Sequence, residues 1–279
     1  MSVEPDFRVR FWGVRGTVAC PGESTLRYGG NTACVEICCG GRRLVFDAGT
    51  GLRLLGRQLA ANGERFQGHL FLTHTHIDHI GGLPFFKPAY MADNCFELWA
   101  GHLRQQGRTL QEVLCRMMES PYFPVPLDIL HACMAFHDFE AGQRFDLGDG
   151  IEIGTAKLNH PGGATGYRVD FAGRSVCYVT DTEHREGELD RRILELIQGS
   201  DLVIYDATYT DEEYPRFRGW GHSTWQQGVR LCRAAGARRL AAFHHDPEHD
   251  DQFLDGVDEA LGKALDGSFV AREGTSILL

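Results

Sequence analysis

The 279-residue sequence predicts an α/β domain with its polar chemistry at strand ends, and two features point that way. Short apolar runs of strand composition alternate with stretches of helical period, and no low-complexity linker separates them, so a single domain spanning 1–279 is the simplest organisation. The strand-like runs also end repeatedly on Asp or His, the side chains that bind metals and carry protons.

In chain order, Val35-Glu36-Ile37-Cys38 and Arg43-Leu44-Val45-Phe46 read as paired strands joined through Gly40-Gly41, which leaves Asp47 at a strand end. Leu52, Leu55 and Leu59 then keep helical spacing. Gly68-His69-Leu70-Phe71-Leu72 is a further strand, and Tyr167 to Phe171 with Ser175 to Val179 form a hairpin turning at Ala172-Gly173-Arg174. Asp201 to Tyr205 is another strand. Trp225 to Ala235 has helical periodicity with Ser223 or Thr224 as N-cap, and Leu240-Ala241-Ala242-Phe243 is a strand that stops at His244.

The most informative segment is Thr73-His74-Thr75-His76-Ile77-Asp78-His79, directly after the strand ending at Leu72. Alternate side chains of an extended segment share a face, so His74 and His76 point together at one cation. The turn into Gly81-Gly82 sends Asp78 and His79 toward a second. A solvated polar loop would account for one His pair but not for four ligand types in so short a run. Taken singly, His160 has the explanation of a turn residue, Asp181 of a helix cap and His244 of a core histidine. Together with the motif they complete a coordination set: His74, His76 and His160 on one ion, Asp78, His79 and His244 on the other, Asp181 bridging. Imidazole and carboxylate without thiolate suit two Zn²⁺ ions, with Mn²⁺ or Fe feasible.

Charge and composition bound the partners. A formal net charge of −10 argues against a broad nucleic-acid or anionic-membrane surface, which needs clustered Lys and Arg. No run is long enough to span a bilayer, and Met1 to Asp6 is acidic without the apolar stretch of a signal peptide, so a cytoplasmic protein is expected. The nine cysteines include no CxxC pair, and adjacent Cys38-Cys39 in a strand suit reduced, buried thiols better than a disulfide frame.

Through Asp47, His74-x-His76-x-Asp78-His79, His160, Asp181 and His244, in that order, the chain resembles the metallo-β-lactamase superfamily over nearly its whole length. The resemblance implies a four-layer αββα sandwich with a binuclear metal site at one edge. Tyr205-Asp206-Ala207-Thr208 followed by Gly221-His222-Ser223-Thr224 is similar to the paired His-Glu-Ala-Thr and His-Ser-Thr motifs of the tRNase Z branch, which consists largely of phosphodiesterases, with Asp206 standing where that branch has Glu. Arg10 to Thr17, Arg27 to Thr32 and Phe243-His244-His245-Asp246-Pro247 resemble a bacterial group of uncharacterised or cyclic-nucleotide-directed hydrolases in that branch. His244 is preferred to His245 as the last ligand because it directly follows the strand.

The chemistry expected of such a site is hydrolysis by a hydroxide shared between two cations, which lower the pKa of water to about 7 and neutralise phosphate oxygens. Asp78 would orient the hydroxide, and His222, held by Asp206, would protonate the departing alkoxide; the plainer alternative for His222 is a neighbour of a helix cap. Arg15, Arg27 and Asn31 are open between holding a phosphate or base and being ordinary surface groups.

Two departures shape the substrate expectation. Members of the tRNase Z branch carry a long tRNA-gripping arm between the third metal histidine and the bridging aspartate, whereas His160 to Asp181 here holds only a short hairpin. The extra residues lie instead in a lid-like insertion at about 84–145, where Phe85, Phe86, Tyr90, Tyr122 and Phe123 alternate with prolines, either as the insertion's own core or as a roof that stacks on a base. The expected partner is a small or cyclic nucleotide-type phosphodiester, with no membrane, nucleic acid disfavoured and a homodimer left open. A tRNA 3′-end endonuclease and a non-catalytic metal-dependent nucleotide binder are the alternatives.

Overall fold

The computed structural model describes residues 6–279, so the expectation about a signal sequence at Met1 to Pro5 lies outside the described residues. The chain runs through β1 (Phe7–Gly13), β2 (Cys34–Cys39), β3 (Arg42–Phe46), α1 (Gly51–Asn62), β4 (Gln67–Leu72), α2 (Ile77–Ile80), β5 (Cys95–Ala100), α3 (Leu110–Met117), β6 (Cys133–Asp138), β7 (Arg144–Asp146), β8 (Glu152–Leu158), β9 (Ala164–Phe171), β10 (Arg174–Val179), α4 (Arg191–Ile197), β11 (Leu202–Asp206), α5 (Trp225–Ala235), β12 (Leu240–Phe243), α6 (Asp251–Ala264), β13 (Phe269–Val270) and β14 (Ser276–Leu278). Two seven-stranded sheets result, ordered β14-β1-β2-β3-β4-β5-β6 and β13-β12-β11-β10-β9-β8-β7.

Period-two alternation explains why the strand sequences are apolar almost throughout: both faces are covered. Leu44 and Phe46 of β3 join Val169, Val176 and Ile204 of the opposite sheet in a shared central core, while Val45 turns outward to Leu52, Leu55 and Leu59 of α1. On the far side, Cys177, Val203 and Leu240 pack with Ile193 of α4, Leu231 of α5 and Leu254 of α6. Helices, sheet, sheet and helices form the four layers of the αββα sandwich that the resemblance implied. The N-cap of α5 is Thr224, whose hydroxyl accepts the Gln227 N–H at 3.0 Å. Ser223 instead bonds Tyr205 and His184.

In each sheet a parallel run brings several strand C-termini to one edge: β3 to β6 in the first, β10 to β13 in the second. Loops beyond the carboxyl ends of parallel strands are where an α/β fold builds a site. The stretch at about 84–145, expected as a lid-like insertion, contains two strands of the first sheet. Its β5 and β6 extend the first sheet, β5 pairing in parallel with β4 and β6 with β5, and β5 buries Phe96, Leu98 and Ala100 against the α1 side. Its aromatics divide as well: Phe86 is a core residue, whereas Phe85 and Tyr122 are exposed. Among the cysteines, Cys34, Cys39, Cys177 and Cys232 are buried free thiols, but Cys95, Cys115 and Cys133 are exposed. No helix among the described residues is long and apolar enough to cross a membrane.

Candidate metal centre

The His-rich motif folds as a strand end followed by one helical turn. His74 is buried, His76 is still extended (φ −66°, ψ 155°), and α2 begins at Ile77, so the change of direction separates the first two ligand types from Asp78 and His79. Asp47, Asp181 and His244 follow β3, β10 and β12 with φ of 59°, 58° and 63°. Side chains seldom adopt this left-handed region, and three such residues at one edge place backbone strain where the polar groups converge.

Two clusters of ligand atoms form there. His74, His76 and His160 make one; Asp78, His79, Asp181 and His244 make the other, with ligand atoms of each group lying within 4.8 Å of one another. His160 Nε2 is 3.1 Å from His76 Nδ1, and His79 Nε2 is 3.2 Å from His244 Nε2. Asp181 spans the two. Its Oδ1 lies 3.8 Å from His74 Nε2 and 3.9 Å from His160 Nε2, while its Oδ2 lies 3.2 Å from His79 Nε2 and 3.3 Å from His244 Nε2. All seven residues named from the sequence are therefore brought together in two adjoining clusters, with one Asp181 oxygen toward each.

The outward nitrogens are anchored. His79 Nδ1 bonds Asp47 at 2.8 Å, His160 Nδ1 bonds the Gly221 carbonyl at 2.9 Å, His244 Nδ1 meets the Thr208 hydroxyl at 3.1 Å and His74 Nδ1 the Thr73 hydroxyl at 3.1 Å. A carbonyl only accepts, so His160 Nδ1 carries the proton and a neutral ring presents a lone pair inward from Nε2. Asp47 is itself held by the Thr73 N–H at 2.8 Å and the Tyr178 hydroxyl at 2.9 Å. Such partners behind the ligands fix ring orientation in metal sites. The arrangement fits cations: His74 Nε2 is buried with no hydrogen-bond partner among the described residues, and it faces acceptors that repel one another unless positive charge lies between them.

His222 stands beside both clusters. Its Nδ1 is 3.0 Å from Asp206 Oδ2, and its ring stacks on His244 at 4.9 Å between centroids. Asp206 is fully buried and also accepts from the Thr182 N–H, the Thr208 N–H and the Thr208 hydroxyl, so its carboxylate cannot swing away. Burial pulls the His222 pKa down, but attraction and hydrogen bonding from Asp206 outweigh it and raise the pKa to about 9.

Several side chains behave otherwise than the sequence suggested. Arg15 is neither a surface group nor a phosphate holder: it is fully buried, and its guanidinium donates to the carbonyls of Gly29, Asp246 and His249. Arg27 pairs with Asp255 at 2.7 Å, and Asn31 donates to Glu273, so neither joins the clusters. His245 turns away to the Ala271 carbonyl at 2.9 Å, and burial depresses its pKa to about 3. Sequence reasoning missed Tyr178, Thr208 and the Gly221 carbonyl as anchors, and it missed Thr17, whose N–H donates to Asp78 Oδ2 at 2.8 Å. It also missed His102, bonded to the Thr75 hydroxyl and stripped of charge by burial, which lowers its pKa to about 4.

Gly221 offers a direct test of the His160 anchor. A Cβ there would run into the His160 ring and Pro161, and φ is +89°. Gly219 has a φ of +90° with nothing within 4 Å, so it reports the backbone cost alone. Gly221→Ala is expected to weaken metal binding by about 10- to 100-fold, the scale of a lost outer support, whereas Gly219→Ala leaves it near the parent. Titration against a chelator distinguishes them, and equal losses would detach His160 orientation from metal affinity.

Residues 42–245 match the family described as "Beta-lactamase superfamily domain". The ribonuclease Z of Haloarcula marismortui is 26% identical over a 312-position alignment, covering 95% of this chain and 94% of that protein. The ribonuclease Z of Gemmatimonas aurantiaca is 26% identical over 294, covering 86% and 87%. Among solved structures, the metallo-beta-lactamase fold protein YhfI from Bacillus subtilis superposes with a TM-score of 0.72 at 16% identity, covering 99% of this chain and all of that one. Because the matched span encloses both sheets' site-bearing strand ends from Asp47 to His244, the chain belongs to the beta-lactamase superfamily.

Proposed function

We propose that this chain is a metal-dependent phosphodiesterase with a binuclear centre, in which His74, His76 and His160 hold one cation, Asp78, His79 and His244 the other, and Asp181 both. The observation that carries this reading is the His222–Asp206 pair set against the two ligand clusters. A hydrolase that expels an alkoxide needs an acid at the leaving oxygen, and an imidazole held in place by a buried, fully bonded carboxylate is positioned to be that acid. When bound, a pair of divalent cations draws the pKa of water toward neutrality and offsets charge on phosphate oxygens.

The chain's own residues do the rest. Asp78, fixed by the Thr17 N–H, keeps one oxygen directed at the centre. Asp206 holds the His222 ring with Nδ1 toward itself, which leaves Nε2 to carry the proton delivered to the leaving oxygen. Stacking against His244 limits rotation of that ring.

For the substrate, the named relatives favour RNA, since the two described above, which match over most of this chain, are ribonucleases Z. They count against the expectation that disfavoured nucleic acid as a partner, and they support the tRNA 3′-end reading above the small-phosphodiester one. A specific observation keeps the second reading: only the β9–β10 hairpin lies between His160 and Asp181, with no room for a gripping arm. The 312-position alignment also exceeds this chain's 279 residues, so the Haloarcula relative has segments this chain lacks. The deciding experiment loads the protein with Zn²⁺ or Mn²⁺ and compares a precursor tRNA bearing a 3′ trailer, cyclic nucleotides, bis(p-nitrophenyl) phosphate, a β-lactam and a thioester. Cleavage of phosphodiesters alone supports the proposal, and the preferred one ranks the two substrate readings. Turnover confined to the β-lactam or thioester, or none at all, defeats it.

A further inference from the structure

A cleft of about 720 Å³ borders Asp78 and Thr17, the residue whose N–H holds the Asp78 carboxylate. Its walls are mostly apolar and include three aromatic rings, Phe85, Tyr122 and Phe123, with Met117 of α3 and Ile77. Large apolar side chains normally hide, yet Phe85 is 53% exposed, Tyr122 86% and Ile77 64%. Clustering of such surface around one cleft marks a ligand site rather than scattered exposure. Phe123 meets Phe85 edge to face at 6.0 Å, bracing it while leaving much of its surface open. Ile77 sits between His76 and Asp78 in sequence, so a group resting on it is held next to the metal centre. Arg116 lines the same cleft without an ion-pair partner among the described residues.

We propose that this cleft is a nucleobase subsite, in which the base next to the scissile phosphodiester stacks on Phe85 and Tyr122 and Arg116 faces the adjoining phosphate. The proposal deepens, and rests on, the phosphodiesterase reading. Exposed aromatic faces accept any base through its π-face, and an unpaired guanidinium supplies forked donors for a phosphate. An alkyl chain would need the apolar walls but not the guanidinium. A cleft of this size is within the range of small-ligand sites.

The test compares adenosine 5′-monophosphate with ribose 5-phosphate, which carries the same phosphate without the base, by calorimetric titration into metal-loaded protein. The parent is expected to bind the nucleotide about 5- to 100-fold more tightly, the span of one base–aromatic stack. Phe85→Ala combined with Tyr122→Ala, both at exposed positions, closes that gap and leaves ribose 5-phosphate unchanged, whereas Tyr122→Phe keeps it. Equal affinities in the parent, or a gap that survives in the double variant, overturn the subsite. Turnover of bis(p-nitrophenyl) phosphate by the same preparation separates the two readings. Base preference without turnover retains the subsite and removes the hydrolase reading, whereas turnover without base preference does the reverse.

Discussion

Replacement of His76 by alanine is expected to remove about one metal ion per chain and abolish turnover while leaving the fold intact. A three-imidazole site loses a donor that water replaces poorly, and loss of even an outer support costs about 10- to 100-fold in affinity. His76 is the exposed member of its cluster, so the substitution opens no cavity, unlike the same change at buried His74 or His79. The first cluster would keep His74 and His160, with His74 Nε2 still buried and without a partner. Mass spectrometry of the purified variant measures the loss directly. A second reading comes from stability, because a ligand that binds only the folded state raises its melting temperature. Chelator treatment should therefore lower the melting temperature of the parent more than that of His76→Ala. Full metal occupancy in the variant would show that His76 is not a ligand.

Much of the fold and of the ligand set was legible because it is local. Alternation in Val35 to Cys38 and in Tyr167 to Phe171 specifies strands by period alone, and His74 to His79 carries its ligand pattern within one strand end and one turn. Asp181 and His244 were legible for a related reason, since each follows a readable strand and those strands belong to a parallel run that ends at a common edge, whereas His160 follows β8, an antiparallel strand that the sequence did not announce. What stayed hidden depends on partners far apart in sequence. The Gly221 carbonyl holds His160 from 61 positions away, and Tyr178 reaches Asp47 across 131. A backbone carbonyl has no sequence signature, and a tyrosine in a strand reads as core. Neither reading left open for Arg15 held, because its acceptors are backbone carbonyls, two of them more than 200 positions later, which no charge pattern marks. The stretch at about 84–145 misled because its prolines and aromatics dominate the sequence, while β5 and β6 within it join the sheet through long-range parallel pairing.

His222→Ala should separate proton delivery from metal binding. If the imidazole acts only as charge develops on the leaving oxygen, the variant keeps both metals and most of its substrate affinity while kcat falls by about 10² to 10⁴, the usual range for a general acid. The leaving group decides how much is lost. An RNA or nucleotide alkoxide departs slowly without a proton, so activity on such substrates takes the full effect. p-Nitrophenolate leaves unprotonated, and turnover of bis(p-nitrophenyl) phosphate should fall far less. Geometry makes the competing outcome concrete, because the ligand atoms of His222, His160 and Asp181 also lie within 4.8 Å of one another. A ligand role would lower metal content and depress both substrates together. Asp206→Asn gives an independent check. Its amide loses the negative charge that raises the His222 pKa but cannot remove the imidazole, so a positioning role for Asp206 predicts a smaller loss than His222→Ala on the alkoxide substrate. Equal losses on both leaving groups in His222→Ala, with metals retained, would mean that the proton comes from another group and that His222 serves the architecture of the loop.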